Sequence, residues 1–180
     1  MRLLPGDRPL AFTVGTLFPE ICWTEGVVRL LQEDEREIVL IHEETHRRHR
    51  DPLKALVLYI LQKSLTGGEA ILSHWRQRRE EECDLACVER GHHPTQVAAT
   101  VLKMQRAASL SPATPISLHY ARSCDPHELR RRIENLLEPP GDSLGPGLPV
   151  LLLSLLGAAV ILEAPFTHHF LETVLGWLTF

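Results

Sequence analysis

No excess of positive charge marks this chain: 19 Lys and Arg stand against 23 Asp and Glu, a net charge of −4. A mildly acidic balance gives no electrostatic footing for a nucleic-acid partner. Basic residues do cluster at Arg47, Arg48 and Arg50, at Arg76, Arg78 and Arg79, and at Arg130 to Arg132. Each cluster lies beside acidic residues, the pattern of a charged helix surface rather than a binding stripe. Disulfide-framework spacing is missing too. Cys22, Cys83, Cys87 and Cys124 are scattered, and Cys83 and Cys87 sit one helical turn apart, as packed thiols would. Free thiols fit a reducing compartment. The N-terminal stretch 1–9 has no long apolar run, so no secretory signal peptide is expected. Internal repeats and low-complexity tracts are absent.

The one long apolar run lies near the other end, at residues 148–164, interrupted by Pro149, Ser154, Gly157 and Glu163. Its length reaches the roughly 17–25 residues that a spanning helix needs. It is expected to be a transmembrane helix in contact with membrane lipid; the alternative is a buried helix of a soluble protein. Residues 139–147 are rich in Gly and Pro and read as a linker, and 165–180 as a C-terminal amphipathic segment. Arg122 and Arg130 to Arg132 precede the apolar run and no Lys or Arg follows it, which places the preceding domain in the cytoplasm.

Helices dominate that domain, residues 1–138. Two short strands, Ala11–Val14 and Glu20–Thr24, flank Gly15 and Pro19 as a small β-hairpin. Thr24 is placed to cap a short helix running to Leu31. Residues 33–50 form the clearest helix, with Glu33, Asp34, Glu35 and Glu37 in its first turns and Arg47, Arg48 and Arg50 in its last. Those charges complement the helix dipole at both ends. Pro52 ends it near Asp51. An apolar helix over 53–65, core or interfacial, leads to a break at Gly67 and Gly68. Further helices are expected over 69–90, stopped by Gly91, over 96–108, and over Pro126–Leu137.

The chemistry concentrates in His42-Glu43-Glu44-Thr45-His46. Histidines four apart on a helix project the same way, and two neutral imidazoles can grip one zinc ion. Ile38, Ile41 and Thr45 share their stripe, so the imidazoles face inward. Glu43 is one step round the helix, where it can act as general base on a water activated by zinc and then pass the proton to the leaving amine. Catalytic zinc needs a third protein ligand. Glu80 is the candidate, with Asp84 one turn later to orient a ligand imidazole through its other nitrogen. Against this stands a plain surface reading, in which Glu80 to Glu82 pair with Arg76, Arg78 and Arg79 along one helix. Glu81 and Glu82 are assigned to solvent. A softer set, Cys83 and Cys87 with His42 and His46, would make a structural zinc site but leaves Glu43 idle. His119 and Tyr120 are the candidate donors to the oxyanion. His74, His92, His93, His127, His168 and His169 read as ordinary surface or packed histidines. Gly141-Asp142-Ser143-Leu144 matches a short esterase signature, but within a Pro/Gly linker it carries no nucleophile.

Several of these segments together resemble a known family. They are Pro9-Leu10-Ala11-Phe12-Thr13-Val14-Gly15, then Pro19-Glu20-Ile21, the HExxH helix running into Arg48 and Asp51-Pro52-Leu53, and Glu80 with Cys83-Asp84. The chain looks like the M56 antirepressor metallopeptidases of the BlaR/MecR type. It is similar, more distantly, to the M48 group of prenyl-protein endopeptidases and HtpX-type proteases. The resemblance covers roughly residues 8–138. It implies a mainly α, zincin-like (gluzincin) domain of a protease in a bacterial inner membrane, with its zinc site facing the cytoplasm. It implies His42, His46 and Glu80 as zinc ligands, Glu43 as base and Asp84 behind a ligand histidine. Strand Ala11–Val14 matches the segment that would align an extended substrate by edge pairing. Relatives carry several membrane helices before this domain, whereas this chain starts almost at it. No penicillin-binding sensor is present, so β-lactam sensing is not expected. His49 and Arg50 depart from the family pattern beside Asp51. The expected activity is hydrolysis of a protein or peptide substrate. A non-catalytic zinc-binding membrane scaffold, or a structural membrane protein carrying the motif by accident, are the other readings.

Overall fold

Among the described residues, short strands come first, then six helices. The computed structural model describes residues 1–63, 68–109 and 126–138. Strands β1 (Arg2–Leu4), β2 (Ala11–Val14) and β3 (Glu20–Thr24) are followed by α1 (Glu25–Leu30), α2 (Glu33–Arg48), α3 (Asp51–Gln62), α4 (Gly68–Glu89), α5 (Pro94–Ser109) and α6 (Pro126–Leu137). The expected hairpin is present, with β2 antiparallel to β3 and Thr13 opposite Ile21. The sheet is larger than the hairpin. β1 pairs in parallel with the far side of β3, giving the order β1-β3-β2 among the described strands. Gly15 closes the β2–β3 turn at φ 101°, and a Cβ there would meet the Phe18 carbonyl oxygen at 2.7 Å. Both facts call for glycine.

Thr24 does stand before α1, but its hydroxyl does not cap the helix. It accepts the Leu10 N–H at 2.9 Å and donates to the Arg8 carbonyl, tying the β1–β2 connection to β3. α2 starts where its acidic first turn predicts, with the Glu35 carboxylate accepting the Gln32 N–H at 2.8 Å. It ends at Arg48. Arg50 adopts a left-handed backbone (φ 53°), which turns the chain sharply into α3.

α2 is the central element, packed on both sides. Val39 joins Ile21, Trp23, Val27 and Leu31 in a cluster against the sheet and α1. Ile38 and Ile41 join Cys87, Val97, Ala98 and Leu136 in a second cluster with α4, α5 and α6. Burying side chains such as Ile38 or Leu31 stabilises by about 1.5–3 kcal/mol each. Residues 42, 43 and 46 are thus carried on a helix that cannot turn without emptying two cores. α3 is less embedded: Leu56, Val57 and Ile60 are between 44 and 58 % exposed. No helix among the described residues is long and apolar enough to cross a membrane. The expected linker 139–147, the apolar run 148–164 and the segment 165–180 lie outside the described residues.

Candidate metal centre

α2 and α4 meet so that three ligand-type side chains converge. His42 Nε2 and His46 Nε2 are 3.2 Å apart. The Glu80 carboxylate reaches each of them at 3.5 Å, Oε2 towards His42 and Oε1 towards His46. A tetrahedral ion with bonds of about 2.0–2.1 Å separates its ligand atoms by about 3.3 Å, close to the 3.2 Å between the two Nε2 atoms, and each of these faces a different oxygen of the Glu80 carboxylate.

The opposite edge of each ring is held separately. His42 Nδ1 lies 3.1 Å from Asp84 Oδ1, and His46 Nδ1 lies 2.8 Å from Asp51 Oδ2. A carboxylate behind each imidazole makes Nδ1 the protonated nitrogen and frees Nε2 for a cation. Asp84 is the residue that the sequence puts behind a ligand imidazole, and the imidazole it lies against is that of His42. In the sequence Asp51 reads as the end of a helix and as part of the Asp51-Pro52-Leu53 segment, without an assigned role. The tight α2–α3 turn brings its carboxylate to His46. Asp51→Asn is expected to weaken zinc binding by about 10–100-fold while the fold persists; isothermal titration with zinc beside the wild type would show it.

Two arginines tie this layer together. Arg132 on α6 bonds Asp84 through Nε (2.7 Å) and one terminal nitrogen (2.8 Å), and reaches Glu80 Oε2 with the other at 2.9 Å. Arg79 on α4 donates to Asp51 Oδ2 at 3.0 Å and contacts Glu82 and His49. Both arginines are buried, which corrects their reading as surface charge. Glu81, assigned to solvent from sequence, is buried as well and accepts from Arg131 at 2.8 Å. Glu82 is exposed as expected. Pairing across 48 and 50 residues of sequence leaves no local signal.

Charge in the pocket follows from these contacts. Burial pushes the Glu80 carboxyl up, but Arg132 and the two histidines outweigh it and hold the group well below the usual carboxylate range. Asp84 is held low despite burial by Arg132 and His42, and Asp51 despite burial by His46 and Arg79. Burial opposes the charged form of His42, yet Asp84 and Glu80 raise its pKa to about 10. The same two carboxylates that raise it would favour any cation held at His42.

A rival triad of His42, His46 and Cys83 also brings ligand atoms within 4.8 Å of one another. Cys83 Sγ, however, lies 3.5 Å from His46 Nδ1, the ring edge already bonded to Asp51. Burial, and next the charge of Glu80, push its thiol far upward while no metal is bound. Cys87 is likewise pushed up, to about 12, by burial and Asp84, and its thiol donates to the Ile38 carbonyl at 3.4 Å. Both behave as packed thiols, and the carboxylate set is the better fit.

Glu43 is buried beside the ligands, 8 % exposed. Its Oε2 accepts the Thr13 hydroxyl from β2 at 2.8 Å. His92 faces Glu37 at 3.9 Å, and His93 bonds Thr95 in the first turn of α5, local roles of the ordinary kind. His119, Tyr120, His168 and His169 lie outside the described residues.

The comparisons agree with this chemistry. The family model described as Peptidase family M48 matches residues 3–125. A protease HtpX homolog of Gemmatimonas aurantiaca is 41 % identical over 56 residues, 29 % of this chain and 20 % of the relative. Another from Methanocaldococcus jannaschii is 32 % identical over 78 residues, 42 % of this chain and 26 % of the relative. The matched part thus spans about a quarter or less of those relatives' length. No solved structure matches the chain. The matching model is the one that sequence motifs suggested as the more distant resemblance, rather than the BlaR/MecR type. With a model covering most of its length, the chain belongs to peptidase family M48, a family of zinc-dependent metallopeptidases.

Proposed function

We propose that this domain is a zinc metalloendopeptidase that hydrolyses peptide bonds of a protein substrate, with His42, His46 and Glu80 holding the metal and Glu43 as catalytic base. The observation that carries it is the pair of Nε2 atoms 3.2 Å apart, each 3.5 Å from a different oxygen of the Glu80 carboxylate, with an aspartate behind each ring. Zinc in such a site supplies Lewis acidity, lowering the pKa of water to about 7 and polarising a carbonyl. The chain's own residues do the rest. Glu43 takes the proton of the attacking water and returns it to the leaving amine. Asp84 and Asp51 keep both imidazoles in the liganding tautomer. Strand β2 would align the backbone of an extended substrate by ladder hydrogen bonds.

The substrate class is a cytosolic regulator or a membrane protein under quality control. Residues 148–164 would anchor the domain to the membrane on its cytoplasmic side. Cleavage of a quenched-fluorescent peptide library by the purified chain tests the reading. Turnover should vanish on dialysis against a chelator and return with one equivalent of zinc. Stoichiometric zinc with no cleavage of any library member would instead identify a scaffold.

A further inference from the structure

Glu43 sits on α2, but the group that holds its carboxylate belongs to the sheet. Thr13 is the inward residue of β2; successive strand residues face opposite ways, and Val14 beside it is exposed. Thr13 is only 2 % exposed. Its hydroxyl lies 2.8 Å from Glu43 Oε2 and 2.9 Å from the Glu43 main-chain oxygen. One side chain thus grips both the side chain and the backbone of the same residue, across 30 positions of sequence.

We propose that Thr13 is a positioning residue for Glu43: its hydroxyl fixes the carboxylate by binding Oε2 and leaves Oε1 to meet the attacking water. The catalytic consequence rests on the peptidase reading above. The physical need is plain. The terminal torsion of a glutamate is broad and roughly two-fold, so an untethered carboxylate samples many orientations. A displacement of about 1 Å in a catalytic group can lower the rate about 100-fold. The tether also links substrate and base. The strand offered to the substrate is the strand that carries Thr13, so a peptide seated on β2 and the Glu43 carboxylate share one rigid support.

Thr13→Val removes the hydroxyl and keeps the branched shape; Thr13→Ser keeps the hydroxyl and removes a methyl. Thr13→Val is expected to lower kcat by about 10–100-fold, with KM changed less than about threefold and zinc content as in wild type. Thr13→Ser should recover most of that loss. Wild-type kcat in Thr13→Val, or an equal loss in both variants, would overturn the proposal, the second outcome because it marks a packing role. A second readout needs no activity. Urea unfolding of the metal-free protein is compared for Thr13→Val, Glu43→Ala and the double variant. The midpoint shift from Thr13→Val should be less than about half as large when Glu43 is already Ala. Equal shifts in both backgrounds would overturn the contact. If the zinc-loaded wild type cleaves nothing, the peptidase reading fails, and the unfolding cycle alone still decides whether Thr13 holds Glu43.

Discussion

Glu43→Gln is expected to lower peptidase kcat by about 10²–10⁴-fold, the range that a positioned general base contributes. The substitution is isosteric, and the amide oxygen can still accept the Thr13 hydroxyl bond that the Oε2 atom accepts at 2.8 Å. Burial and packing of α2 therefore persist, and the three candidate ligands are untouched. What disappears is a group able to take a proton at neutral pH. Zinc content, measured by atomic absorption, should stay at one equivalent while turnover falls. Loss of zinc together with activity would mean that Glu43 is part of the metal site and not its base. Retained turnover would remove Glu43 from the mechanism.

Arg132→Leu is the second large effect, and it falls on stability. The side chain is 7 % exposed and faces two carboxylates, Asp84 at 2.7 and 2.8 Å and Glu80 at 2.9 Å. Removing one member of such a network leaves uncompensated charge in the interior, a loss of about 3–5 kcal/mol. The loss should be larger without zinc, because a bound cation would itself neutralise Glu80. Guanidinium unfolding with and without zinc measures both. The pH dependence has a definite sign. Glu80 and Asp84 have folded-state pKa values below their unfolded ones. Their stabilisation is complete above the unfolded carboxylate range of about 4 and fades as the pH falls through the folded values. In Arg132→Leu that acid-side loss should shrink, since those carboxylates are no longer held as low. An unfolding midpoint unchanged by the substitution would show that Arg132 is not buried against them.

Much of this arrangement is written locally. The HExxH segment carries its own register, because Ile38 and Ile41 share the stripe of His42 and commit that face to the interior. β2 and β3 are legible from Gly15 and Pro19, where the chain must turn. α6 is bounded by its own Pro126 and by Leu137. What escapes is non-local. β1 spans Arg2–Leu4, too few residues for any periodicity, and its parallel partner lies twenty residues on, Arg2 opposite Cys22. Local pairing rules assign Glu80 and Glu81 to the neighbouring arginines of α4. In the folded protein they bond Arg132 and Arg131 instead, because α6 packs over that face. Within α4, Arg79 and Glu82, three apart, do follow the local rule. Asp51 escaped for a related reason: its function depends on the left-handed Arg50 turn that swings it back under His46.

Zinc titration of the wild type beside Glu80→Ala bears most directly on the convergence of α2 and α4. The wild type should bind one equivalent tightly, and Glu80→Ala should bind at least about 100-fold more weakly, beyond the 10–100-fold typical of an outer hydrogen-bonding partner. Equal affinity in the two proteins would contradict a carboxylate ligand at position 80 and return Cys83 to consideration.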